Sequence, residues 1–146
     1  MTTILLTGAT GYIASHTWIA LKEAGFRVLG VDNFANSSPV VLQRLEALLG
    51  EKPVFEEADV NDTDRMADII ARHGVQGVVH FAAHKAVGES VAKPLEYFRN
   101  NLGGLVSVAT AMERQGVKTL VFSSSATVYG QPERLPITED CALSST

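Results

Sequence analysis

Short, nearly continuous apolar runs that alternate with longer amphipathic segments leave a chain few ways to bury itself, and this sequence alternates in that way throughout. Runs rich in β-branched and aliphatic side chains occupy Thr3 to Thr7, Arg27 to Asp32, Pro53 to Glu57, Gly77 to Phe81 and Thr119 to Ser123. Strands that are apolar on both sides need cover on both faces, which a parallel sheet with crossover helices supplies. The intervening segments carry helical spacing and helix-boundary residues. Tyr12 to Ala24 ends at Gly25, and Ser38-Pro39 precedes Val41, Leu42, Leu45, Leu48 and Leu49, with Gly50 after them. Asn61 or Asp62 caps a segment holding Met66, Ile69 and Ile70, which His73-Gly74 closes. A fourth helix starts near Pro94 and carries Leu95, Phe98, Leu102, Leu105, Ala109 and Met112. Gly103-Gly104 lies inside it at a propensity cost of about 1 kcal/mol each, which points to close packing there. The pattern specifies an α/β fold built on a doubly wound parallel sheet.

Composition narrows the class further. With 146 residues, 46% of them hydrophobic, and no repeat or linker, the chain is expected to form one domain. No apolar stretch approaches the ~20 residues of a membrane-spanning helix. The N-terminus runs into the first strand without a basic leader, so a cytoplasmic setting is expected. The lone Cys141 is assigned no role, and a net charge of -4 with mixed signs argues against nucleic-acid binding. A small ligand is expected.

Gly8-Ala-Thr-Gly11-Tyr-Ile-Ala14 follows the first strand directly and opens a helix. Such a turn lets backbone N–H groups and a helix N-terminus approach a pyrophosphate, and the small third residue permits close helix-to-strand packing. A glycine pattern alone is weak, since glycines can serve turn geometry only. Asp32 adds an independent feature: it ends the second strand about 20 residues past the turn, where a carboxylate accepts from ribose hydroxyls. No arginine follows it to balance a 2′-phosphate; Asn33 and Phe34 stand there instead. The fold is therefore Rossmann-like and the expected cofactor is NAD rather than NADP. Asp59-Val60, after the third strand, fits either a contact to the adenine edge or a solvated loop.

Gly8 to Ala14, Asp32-Asn33, Asp59-Val60, Phe81-Ala82-Ala83, Lys85-Ala-Val-Gly-Glu-Ser90, Asn100 and Ser123-Ser-Ser-Ala-Thr-Val-Tyr-Gly130 together resemble the N-terminal part of the UDP-glucose 4-epimerases, in the extended short-chain dehydrogenase/reductase family. The resemblance implies that NAD is contacted by Gly8, Gly11, Tyr12, Ile13, Asp32, Asn33, Phe34, Ala35, Asn36, Ser37, Asp59, Val60, Phe81, Ala82, Ala83, His84, Lys85 and Asn100. It implies that Lys85, Ala86 and Val87 border the sugar nucleotide and that Ser125, the one catalytic residue named, hydrogen-bonds the reacting sugar hydroxyl. Three positions depart from the pattern: Ala14 replaces a glycine, and Ala83-His84 replaces a glycine and an aliphatic residue. His84 beside a phosphate would help neutralise it, but a loop histidine without a role is the preferred expectation. A metal site from His80 and His84 is not expected, because no third ligand has a recognisable spacing.

The activity implied by the resemblance is the interconversion of UDP-glucose and UDP-galactose through a 4-keto intermediate, with hydride held transiently on NAD. It needs a general base, and the family uses Tyr-x-x-x-Lys. Four residues after Tyr12, Tyr97 and Tyr129 stand His16, Asn101 and Glu133, so these 146 residues contain no such pair. By the resemblance, the last part of the sheet and the domain that encloses the UDP-hexose are also missing, and the chain alone is expected to be inactive. The resemblance further implies a homodimer of the longer enzyme, paired through the helix from Pro94 to Gln115 and another beyond it. Alternatives are a non-catalytic NAD-binding module, or part of another sugar-nucleotide enzyme such as a dehydratase. Ala126-Thr127 disfavours the latter, which places an Asp-Glu pair after the serine-rich strand.

Overall fold

The computed structural model describes residues 1–132 and 134–144; Glu133, Ser145, Thr146 and the side chain of Val87 lie outside the described residues. The chain runs β1 (Thr3–Thr7), α1 (Tyr12–Glu23), β2 (Arg27–Asp32), α2 (Val40–Leu49), β3 (Val54–Glu57), α3 (Thr63–His73), β4 (Gly77–His80), α4 (Val87–Ala92), α5 (Pro94–Arg114) and β5 (Thr119–Phe122), then a 3-10 turn at Ala126–Tyr129. The strands form one parallel sheet in the order β3-β2-β1-β4-β5. The order reverses between β2 and β4 on either side of β1, and ligands of such sheets bind outside the carboxyl ends of the strands at that point.

Successive strand residues face opposite ways, so the sheet builds two cores. Leu5, Leu29, Val31 and Val78 pack with Met66, Ile69 and Ile70 of α3 and with Val108, Ala111 and Met112 of α5. Leu6 and Val28 pack on the other face with Trp18 of α1 and Leu45 of α2. Gly30, in the middle of β2, makes room for the indole: a Cβ there would lie 2.0 Å from Trp18 Cζ3. Burial of Trp18 offsets the weak strand preference of glycine.

β3, β4 and β5 are shorter than the sequence pattern suggests, by Pro53, Phe81 and Ser123. The ladder nonetheless continues by single bonds, from Phe81 N–H to Thr7 C=O at 3.2 Å and from Ser123 N–H to His80 C=O at 3.1 Å. Asp62 caps α3 by accepting from Arg65 N–H at 2.9 Å, and Gly74 ends it in the left-handed region. α3 also docks on β3, where Glu56 accepts from Arg65 at 2.7 Å, Arg72 at 2.9 Å and His73 at 2.9 Å. The hydrogen bond from Arg72, then that from His73, holds the Glu56 carboxyl down at about 2.

The double glycine of α5 does mark close packing. A Cβ on Gly103 would sit 3.1 Å from Asn61 Oδ1 and one on Gly104 would sit 3.0 Å from Val60 Cγ2, so α5 lies directly on the loop after β3. β5 is one edge of the sheet and is exposed along its length, at Leu120, Val121 and Phe122 among others. No helix among the described residues is long and apolar enough to cross a membrane.

Candidate functional site

A cleft of about 460 Å³ opens over the carboxyl ends of β1, β2, β3 and β4. Its floor is the turn between β1 and α1. Gly8 has φ +64°, and a Cβ there would fall 2.8 Å from Ala82 N and 3.1 Å from Phe81 C, so only glycine lets the turn lie against the strand beside it. Gly11 N–H donates to Gly8 C=O at 3.0 Å and Gly11 caps α1 without a side-chain hydrogen bond. The first turn of α1 holds no acidic residue. Its amides and the positive end of the helix dipole thus face the cleft without an internal anion to satisfy them.

Thr7 ties this floor to the next strand. Its Oγ1 accepts from Phe81 N–H at 3.2 Å and Ala82 N–H at 3.3 Å, so its own proton goes to His80 Nδ1, 2.7 Å away. His80 is therefore the Nε2–H tautomer, and among the described residues its buried Nε2 has no hydrogen-bond partner. Burial, assisted by the charge of Lys85, pushes its pKa down to about 4.

Asp32, buried at the end of β2, accepts from Thr10 N–H at 3.1 Å, Phe34 N–H at 2.8 Å and Ser37 Oγ at 3.3 Å. Because Ser37 donates to Asp32, Thr10 Oγ1 donates to Ser37 Oγ at 2.6 Å. These bonds aim the carboxylate and leave part of its acceptor capacity free. Phe34 takes φ +56°, rare for a bulky residue, and its ring lies against Phe55 rather than lining the cleft.

The remaining sequence candidates converge on the same space. Tyr12, Ile13, Asn33, Ala35, Asn36, Asp59, Val60, Ala83, His84, Lys85, Ala86 and Asn100 all line the cleft, along with Ala14 and Ala58. Asp59 sits in a set of short bonds, accepting from Asn61 N–H at 2.8 Å, Asn61 Nδ2 at 2.9 Å and Asn33 Nδ2 at 3.2 Å. Burial works against its charge, but these hydrogen bonds outweigh it and the carboxyl titrates below its usual range. Asn61 and Thr10 escaped sequence reasoning, as did Asn101, which holds the backbone of His84; Thr10 lies within the glycine turn, where only the small residues stood out, and the two asparagines lie in no distinctive motif.

Ser125 stands apart from the nucleotide cleft. It lines an adjoining cavity of about 520 Å³ with Lys85, Ala86, His80 and Tyr97, over the ends of β4 and β5. Its Oγ accepts from Thr127 N–H at 3.3 Å and shares a 2.9 Å hydrogen bond with Thr127 Oγ1, capping the 3-10 turn. Among the described residues no three His, Cys, Asp or Glu side chains gather as a metal-binding group.

Residues 4–146 match the NAD dependent epimerase/dehydratase family. The UDP-glucose 4-epimerase of Bacillus subtilis (strain 168) is 49% identical over 143 residues, 98% of this chain and 42% of that protein. The UDP-glucose-4-epimerase of Stenotrophomonas maltophila, solved with NAD and formylated UDP-arabinopyranose, superposes with a TM-score of 0.94 at 42% identity, over 100% of this chain and 44% of that one. The Bifidobacterium longum UDP-glucose 4-epimerase, solved with NAD+ and UDP, gives a TM-score of 0.93 at 48% identity, over 99% and 43%. The chain thus spans less than half the length of these relatives.

Proposed function

The chain belongs to the NAD dependent epimerase/dehydratase family, and on that premise we propose that it is the NAD-binding domain of a UDP-glucose 4-epimerase. The observation that carries the proposal is the glycine turn pressed on Ala82, opening an uncapped α1 beneath an Asp32 already oriented by three donors.

These residues fit a dinucleotide. The amides of the turn and of Tyr12 and Ile13 receive the pyrophosphate. Asp32 accepts from a ribose hydroxyl, whereas a 2′-phosphate would bring negative charge and no ready proton to a carboxylate with no cation beside it. Asn33, Ala35, Asn36 and Ser37 enclose the same ribose, and Asp59 and Val60 meet the adenine. Phe34 acts indirectly, through the N–H that orients Asp32. Phe81 to Lys85 and Asn100 flank the nicotinamide half.

NAD, when bound, supplies a reversible hydride acceptor. The chain's own part in the reaction is to orient and exclude water. Ser125 offers its hydroxyl to the sugar hydroxyl that loses its proton, and Lys85, Ala86 and Val87 border the sugar nucleotide. A Tyr-x-x-x-Lys base is not among these 146 residues, so turnover by this segment alone is not expected. A homodimer of the longer enzyme fits the exposed Leu95, Phe98, Leu102 and Val106 on α5, and a cytoplasmic setting fits the single cysteine.

Calorimetric titration tests the proposal. Saturable binding of NAD is expected, with NADP and the Asp32→Ala variant each weaker by at least about tenfold, the scale of a lost charge-assisted hydrogen bond. No binding to the folded chain, or equal binding of both cofactors, would overturn it.

A further inference from the structure

We propose that Asn101 is the positioning residue for the segment that carries Lys85, a proposal that rests on the dinucleotide-binding reading above. The stretch from Phe81 to Ala86 belongs to no helix or strand, yet it forms one wall of both cavities. A side chain of α5 anchors it. Asn101 Oδ1 accepts from His84 N–H at 2.8 Å and Asn101 Nδ2 donates to His84 C=O at 3.0 Å. A carboxamide bonded to both backbone groups of one residue imitates a neighbouring strand and fixes orientation as well as distance. Because α5 runs for 21 residues and packs against α3, its anchor point is rigid.

The anchor belongs to a longer circuit. Asn100 Nδ2 donates to Asn101 Oδ1 at 3.0 Å, and Asn100 Oδ1 accepts from Asn61 Nδ2 at 3.3 Å. Asn61 binds Asp59, and Asp59 binds Asn33. From the same loop as Asn33, Asn36 Nδ2 reaches His84 Nδ1, 3.3 Å away. Side-chain hydrogen bonds thereby join the loops after β2, β3 and β4 around the cleft. In a sheet of this order the loops after β2 and β3 serve the adenosine half and the loop after β4 serves the nicotinamide half. Asn101 touches only the last of these. It lines the sugar-side cavity and not the nucleotide cleft, so its effect on NAD is exerted through His84 and Lys85.

A structural role alone would weaken every ligand alike; a positioning role separates the two halves. Titration of Asn101→Ala is expected to show NAD weakened by about tenfold or more, the worth of one to two hydrogen bonds, with ADP unchanged within about twofold. Asn101→Asp keeps the acceptor for His84 N–H and loses the donor, and should fall between. Should Asn101→Ala fail to fold, Asn101→Asp and Asn101→Ser carry the same comparison. A ligand-free readout accompanies it: the His84 amide should exchange with solvent at least about tenfold faster in Asn101→Ala than in the parent chain. Equal weakening of NAD and ADP, weakening of neither, or an unchanged His84 exchange rate would each overturn the proposal. A parent chain that binds neither nucleotide would instead sink the function proposed above, and the exchange rate would then decide the anchor by itself.

Discussion

His80 shows how a single buried residue sets a pH limit. Its pKa of about 4 lies below the 6.5 of the unfolded chain, because burial disfavours the charged ring. Between those values the unfolded state binds the extra proton, so stability is complete above pH 6.5 and is lost as pH falls toward 4. Between pH 7 and pH 5 the loss should be roughly 2 kcal/mol from this residue. His80→Gln, which keeps an acceptor for Thr7, should flatten that part of the profile in denaturant titrations at the two pH values. An equally steep variant would refute the assignment. At this scale much of the lining of the candidate cleft was legible in the sequence. Asp32 announced itself through its distance from the glycine turn, and the structure seats it beside that turn. Thr7, Thr10, Asn61 and Asn101 were not legible, because a single threonine or asparagine, whether in a strand, a turn, a loop or a helix, gives no periodic signal. Apart from Asp59 beside Asn61 and Asn100 beside Asn101, their partners lie far off in sequence.

Among the elements, α5 and the loop after β3 depend on each other through the missing side chains at positions 103 and 104. In an exposed helix, replacing glycine by alanine would gain about 1 kcal/mol, and by valine a fraction of that. Here Gly104→Val must push into Val60, and the expected result is a net loss of about 1–3 kcal/mol by thermal melting, with NAD binding weakened because Val60 and Asp59 shift together. A variant as stable as the parent would show that the loop yields freely. The strands were readable because runs apolar on both faces have few alternatives to a covered parallel sheet, and the helix ends at Gly50 and Gly74 were readable because both adopt left-handed conformations. α4 was not: it has six residues, no side-chain cap and a glycine at its second position, and it is held by its neighbour α5, where Tyr97 donates its hydroxyl to Glu89 at 2.9 Å. With Ser38 as the cap and Pro39 in the first turn, α2 would start at Pro39; it starts one residue later, with Pro39 just before the first helical position and Val40 N–H donating to Ser38 Oγ at 3.3 Å.

The molecule as a whole is finished on one side of its sheet and open on the other. Arg65, Arg72 and His73 converge on Glu56 at the β3 edge, whereas β5 presents Leu120, Val121 and Phe122 to solvent. An exposed apolar edge strand is a template for pairing with another chain. Concentration-dependent association is therefore expected in light scattering, and Val121→Lys should suppress it; an unchanged profile would place the contact elsewhere. The Rossmann-like architecture was legible at this scale, while the openness of β5 followed from the family resemblance rather than from anything in the run Thr119 to Ser123. The niche left by Gly30 has an optical consequence. It seats the single tryptophan of the sequence at 1% exposure on the underside of the strand that ends in Asp32. Emission from Trp18 will accordingly be that of a dry indole while the fold holds and will redden when it opens. A reduced nicotinamide bound in the cleft would absorb that light, so fluorescence from one native residue reports both folding and occupancy without a label.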